Sequence, residues 1–327
     1  MEGMTRNSRI FRNGPGHSGH LGSRWLGIKF WTLLADQDVK GVLETQLIHE
    51  CLDFILEPLK TAAQIGIMMT DALGNHQYCF TLLASFIVDT PKSALLAGVA
   101  EKTLSVTMAS YKDFGDPFCH EPHTASKTFG QLEHLASKAD PWNLKNYLKA
   151  AHNLCLSSMH KPFWRDWALS DPSQFLTSEP LHHWHKQFWD HDAKWCINAV
   201  DASELDFHFS IIQPLTSFHH FSGGISKLKQ VTGSKHHNIQ HYIIPLIARA
   251  VSSDFLVAIC SLMDFRYRVQ ATSITKSMCA KIQSALNMFH AHKDAIIGAG
   301  ACHSQKNNLI YNWYIPKLEF MQSIVPV

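Results

Sequence analysis

LTSEPLHHWHKQFWDHDAKWC, residues 176–196, is the stretch on which the reading of the chain turns. It holds four histidines, three acids and a cysteine, which admits either a metal site or an amphipathic helix. With Pro180 in the first turn and about 100° per residue, Trp184, Phe188, His191 and Trp195 form one apolar stripe. His185, Trp189, Asp192 and Cys196 lie beside it, and His183, Gln187, Asp190 and Lys194 lie opposite. A zinc ion would gather His182 and His185 with Asp192 or Cys196 along one edge, which the spacing permits. The chain carries 22 histidines in all, so clustering alone says little. The favoured reading is a tryptophan-rich core face with hydrogen-bonded histidines at its margin.

The 327 residues suffice for one large domain or two. A hydrophobic content of 46% with 17% charged residues marks a globular chain. The net charge of +2 does not by itself point to nucleic acid. Cysteines stand at 51, 79, 119, 155, 196, 260, 279 and 302. None makes a Cys-x-x-Cys pair, which excludes a zinc ribbon and a thioredoxin-like site. The opening MEGMTRNSRIFRNGPGHSGH has no apolar run behind its basic residues and is no secretory signal. Apolar runs such as FTLLASFIV are too short to span a bilayer. The expectation is an intracellular, reduced, soluble protein with no membrane partner.

Working outward, residues 1–40 read as a flexible N-terminal segment, its first 24 rich in Gly, His, Arg and Ser. Glu44–Ile65 has a helical period at Leu47, Ile48, Cys51, Phe54, Ile55 and Leu59, with Pro58 bending it and Gly66 as its stop. Asp71–Asn75 is turn chemistry between two apolar runs, hence a hairpin. The second run reads as a buried strand ending at Asp89, and Thr90-Pro91 starts a helix. KTLSVTMAS reads as a further strand. A carboxylate such as Asp89 at a central strand end is a common place for chemistry, although a plain helix cap explains it equally. Residues 112–175 show Pro, Gly and aromatic residues without a sustained period and read as an irregular connection. Beyond Ser178 the chain reads as mainly helical, over 180–200, 224–230, 236–251, 254–269, 275–292 and about 314–324.

Other candidate sites are weaker. CHEPH, 119–123, is too short to wrap four ligands and reads as a loop. His290 and His292 in FHAHKD lie on different helix faces. GHSGHLGS lacks Walker spacing, and Ser18 lacks the strand-to-helix setting of a nucleophile elbow. From Phe207 to Ser253 there is no Asp or Glu, while Lys227, Lys229, Lys235 and Arg249 are present. That stretch suits weak, salt-sensitive contact with phosphate backbones, with Ser226, Thr232 and Ser234 as donors and GGISKLKQVTGSKHH as a nest-like loop.

PFWRDWALSDPSQFLTSEPLHHWHKQFWDHDAKWC, then FHHFSGGISKLKQVTG, LMDFRYRVQ and FHAHKDAIIGAG, together with ILEPLKTAAQIGIMMTDALGNHQYCFTLLASFIVDTP upstream, resemble the Plavaka-type transposases of fungal mobile elements, in the Kyakuja–Dileera–Zisupton group. The resemblance covers roughly residues 40–327. It implies a ribonuclease-H-like core in which three carboxylates hold two Mg2+ or Mn2+ ions for DNA strand cleavage and transfer. Asp89 matches the second carboxylate and metal ligand. The family's Asp-x-x-His stands here as Glu179-Pro180-Leu181-His182, which places Glu179 and His182 at the opening of a helical insertion. The family's Cys-x-x-Cys segment after the second Asp is absent. Asp36 and Glu319 are poor substitutes for the first and last carboxylates.

The expectation is therefore a helix-rich α+β chain: a partial ribonuclease-H-like α/β core at 41–115, the irregular connection at 116–175 and a large, mostly α-helical insertion at 176–327. It reads as an internal fragment that binds no ion stably and is inactive, nuclear if functional. The alternatives are a nucleic-acid- or protein-binding module and a nuclease completed by another chain. A sheet lacking its first strands exposes an apolar edge and face, which favours self-association.

Overall fold

The computed structural model describes residues 37–324, apart from 101, 141–142, 158, 179–180, 230 and 305. Residues 1–36 of the expected N-terminal segment, Asp36 among them, lie outside the described residues. Helix α1 runs Gln37–Ile65 with Pro58 inside it. The helical period is as read, but the buried face is not the apolar stripe. Leu47, Phe54 and Ile55 are 64%, 84% and 67% exposed, whereas His49 and Lys60 are buried. Distant partners explain the inversion. His49 Nδ1 accepts from the Phe163 N–H at 3.2 Å, so its Nε2–H donates to the Leu95 carbonyl at 3.1 Å. Lys60 donates to Asp53 and, at 2.5 Å, to Asp166, while Arg165 reaches Asp53 at 2.7 Å. Buried polar groups persist where they are paired in this way.

Strands β1 (Ile67–Thr70) and β2 (His76–Cys79) pair antiparallel, Ile67 facing Cys79. The Asp71 carboxylate closes the turn by accepting the N–H groups of Leu73 and Asn75 at 2.8 and 2.9 Å. The second run, expected as one buried strand, carries β2 and then only a short strand, β3 (Phe86–Val88), whose Ile87 is exposed, followed by α2 (Thr90–Ala97). KTLSVTMAS is no strand. It holds its place through isolated bridges, Thr103 to Ser110 and Thr107 to Pro122, with Leu104, Val106 and Ala109 buried.

The stretch read as irregular contains α3 (Ala125–Lys138), α4 (Leu144–Asn153) and the single turn α5 (Pro172–Phe175). Thr124 caps α3 through the Lys127 N–H. Leu135 packs with Tyr147, Ala151 and Leu156 in a small core of its own. The helical stripe there is too short to stand out among flanking Gly and Pro residues. After α5, β4 (Leu176–Ser178) pairs parallel with β3, Phe86 facing Leu176. Leu96, Leu104, Phe114, Phe163, Trp164 and Phe175 fill the core beneath this pair.

Two π-helical segments, Leu181–His185 and Phe188–Ala193, open the second half. They are followed by α6 (Lys194–Val200), α7 (Ala202–Ser210), α8 (Gly233–Ile247), α9 (Ser253–Val269), α10 (Lys276–His292), α11 (Asp294–Gly298) and α12 (Pro316–Ile324). Over 224–229 the expected helix is a loop instead, and Gln230 lies outside the described residues. The chain is thus helix-rich α+β, with two two-stranded sheets among the described residues. No described helix is long and apolar enough to cross a membrane.

The π segments turn more slowly than an α-helix, which shifts the faces read from 100° per residue. Trp184, Phe188 and Trp195 are buried as expected, but so are His183 and Gln187 from the supposed outer side. Asp192, also buried, accepts from the Arg266 guanidinium on α9, whose other nitrogen donates to Gln187. Burial pushes the Asp192 carboxyl above its ordinary range, and Arg266 opposes that push. Helix α12 joins the halves: Leu318 and Met321 enter the helical core, and Phe320 enters the core under β3 and β4.

Arg266→Ala leaves Asp192 buried without its counter-charge, and urea unfolding is expected to show a loss of about 3–5 kcal/mol. Acid acts on the imidazoles. Burial lowers the pKa of His49 and His123 and brings His191, His236 and His290 down to about 4. Below about pH 6.5 the unfolded chain therefore binds more protons than the folded one. Stability is fully present above that pH and is lost as pH falls towards 4, which urea midpoints measured across this window will show.

Candidate functional site

Asp89 follows β3 in an extended conformation, φ −70° and ψ 164°, and its carboxylate accepts the Lys92 N–H at 2.9 Å. It is the N-cap of α2. The register pairs Val88, the residue before Asp89, with Ser178. Glu179 lies outside the described residues. Next to Asp89, the Thr90 hydroxyl lies 3.3 Å from His183 Nε2, and the His183 ring meets Phe320 of α12 edge-on at 4.7 Å. The half-buried His182 is in the same π segment. The sequence singled out His182; the histidine that meets the Asp89–Thr90 corner is His183.

A second cluster stands on the loop before α3. Asp113, Asp116 and His120 each offer a ligand atom within 4.8 Å of the others, and this is the trio among the described residues with a geometry able to hold a metal. His120 Nε2 lies 3.2 Å from an Asp116 oxygen. On its other side, Nδ1 is 3.1 Å from Glu319 Oε2, and the His120 N–H donates to Glu319 Oε1 at 3.0 Å. CHEPH is a loop, as read, yet it carries one member of this cluster. The signal in sequence was the run Asp113, Asp116, His120; the partner Glu319 comes from 199 residues away.

The basic stretch does not gather into one patch. Lys227 and Lys229 are exposed on the loop before α8, and Lys235 is half-buried in its first turn. Arg249 lies beyond the other end of that helix, about 21 Å away at 1.5 Å per residue. The nest-like loop exists, but the Asp206 carboxylate occupies it. Asp206 Oδ1 accepts the N–H groups of Ile225 and Ser226, both at 2.7 Å, and Oδ2 accepts the Ser226 hydroxyl at 2.5 Å. Gly224 has φ +74°, and a Cβ there would overlap Asp206. Partial burial pushes the Asp206 carboxyl up, but the Ser226 and Ile225 donors and Lys227 hold it below its ordinary value. The zinc edge of residues 182–196 is not formed either. Asp192 is committed to Arg266, and burial raises the Cys196 thiol well above its ordinary pKa.

As a cap, Asp89 contributes to folding whatever its chemistry. Asp89→Ala is expected to cost about 1 kcal/mol in urea unfolding, and Asp89→Asn only a fraction of that.

A family model described as Plavaka transposase matches residues 17–196, slightly more than half of the chain. The sequence blocks quoted beyond Cys196 fall outside that span. No curated protein and no solved structure matches the chain.

Proposed function

The chain belongs to the Plavaka transposase family, and we propose that it is a transposase-related protein that engages DNA without assembling a two-metal centre by itself. Its ancestral chemistry is metal-dependent DNA strand cleavage and transfer. The observation that carries the reading is Asp89 at the carboxyl end of β3, in a parallel pair with β4. In a ribonuclease-H-like core that position supplies one carboxylate to a pair of Mg2+ or Mn2+ ions, which activate the attacking oxygen and stabilise the leaving one. Glu179 and His182 then open the helical insertion. Among the described residues, however, Asp89 belongs to no trio of ligating groups.

The DNA contact assigned here is electrostatic and sequence-independent. Lys227, Lys229 and Lys235 flank the start of α8, and such lysines take phosphate as point charges. Asp206 fills the backbone donors of the adjoining loop, so side chains carry the contact and the affinity is weak. Action on DNA makes the protein nuclear.

Fluorescence anisotropy with a short duplex, repeated across a salt series, tests this. The triple variant K227A/K229A/K235A is expected to lower the slope of log K against log salt by about 2–3, and Arg249→Ala by much less. Equal slopes for the triple variant and the parent chain would remove the assigned surface. In parallel, supercoiled plasmid with Mn2+ is expected to stay intact. Nicking that Asp89→Asn abolishes would show that the chain is catalytic, alone or as part of a shared centre.

A further inference from the structure

The cluster at Asp113, Asp116 and His120 has no part in the reaction assigned to the family, and its geometry poses a problem of its own. Glu319 is fully buried, and both its oxygens accept from His120, one from the ring and one from the backbone. A carboxylate accepting from Nδ1–H leaves the Nε2 lone pair as the outward face of the imidazole. Nε2 lies 3.2 Å from an Asp116 oxygen, and one ligand atom each from Asp113, Asp116 and His120 falls within 4.8 Å of the others.

We propose that Asp113, Asp116 and His120 bind a divalent first-row metal ion, with zinc or manganese as the chemical class, and that Glu319 orients the imidazole from behind. The separation fits: a metal about 2.1 Å from two neighbouring donors holds them about 3.0–3.4 Å apart. The donor set fits as well. One imidazole with two carboxylates suits zinc or manganese, whereas calcium and magnesium favour oxygen alone. A buried carboxylate behind a ligating histidine is the recurrent way proteins fix the tautomer and direction of a metal-binding imidazole.

Three carboxylates, from Asp113, Asp116 and Glu319, surround His120. The buried Lys293 ammonium donates to the Gly115 carbonyl within the loop. Asp113 is already held ready: its Oδ2 accepts the Ser110 N–H at 2.9 Å and the Ser110 hydroxyl at 2.7 Å. The loop between the donors is pinned at Gly115, where a Cβ would overlap Trp313. The ion would therefore close a preformed loop onto α12, a structural role independent of Asp89.

The test uses the full chain, dialysed against EDTA and then titrated with ZnCl2, MnCl2 and CoCl2. Uptake of one equivalent is expected, with visible cobalt absorption and a thermal midpoint that rises with metal concentration. Asp113→Asn and Asp116→Asn should each weaken affinity at least about tenfold, and Glu319→Gln by about 10–100-fold. Asp113→Asn keeps an acceptor for Ser110, so it decides the matter if His120→Asn fails to fold. No uptake of any of the three metals overturns the proposal. Uptake unaffected by Asp113→Asn and Asp116→Asn overturns it too, because the metal then rests on other histidines.

Discussion

Five consecutive residues of α12, Leu318 to Gln322, are buried. A helix with no solvent side has no place to send its polar groups, and that constraint organises the molecule. Glu319 finds His120, and Gln322 meets His290 Nε2 at 2.8 Å. Those partners lie on the loop before α3 and at the end of α10. Satisfying two side chains of one short helix therefore fixes the loop against the helical half. Phe320, between them, reaches the core under the parallel strands and the His183 ring. The sheet edge with Asp89 and the Asp113–His120 cluster are thus tied to the same helix, one through an aromatic contact and the other through a carboxylate.

The second π segment and α9 are joined by the same rule in its stricter, charged form. Asp192 and Arg266 are both withdrawn from water, and each makes the other's burial tolerable. The histidines that drew attention in the sequence serve this architecture. His183 and His236 sit in aromatic surroundings, His236 stacked on Trp189 at 5.6 Å. A histidine-rich segment here packs a core rather than holding a metal, and the ligand candidate is His120, in a loop that looked unpromising.

What could be read in advance depended on how local its cause was. The Asp71–Asn75 turn, the Thr90-Pro91 helix start and helices α9, α10 and α12 are set by neighbouring residues, and they stand where the sequence put them. The buried face of α1 was not legible, because His49 and Lys60 are drawn inward by Leu95, Phe163 and Asp166, up to 114 residues away. The π segments escaped a wheel drawn at α-helical pitch. Asp89 was found because a strand end and a Pro-led helix start coincide there. Glu319 was set aside because its meaning resides in His120, which no spacing rule connects to it. The acid-free run from Phe207 looked positive because the reading began one residue too late, just after Asp206.

That one residue has a thermodynamic consequence. The backbone donors at Ile225 and Ser226 are held by an anion that belongs to the same chain, and a tethered ligand competes at an effective concentration of roughly millimolar. A phosphate arriving from outside does not meet an empty receptor; it must win an exchange against a competitor that never diffuses away. The loop is in this sense already saturated. Its affinity for a polyanion is limited less by the lysines around it than by how readily Asp206 lets go.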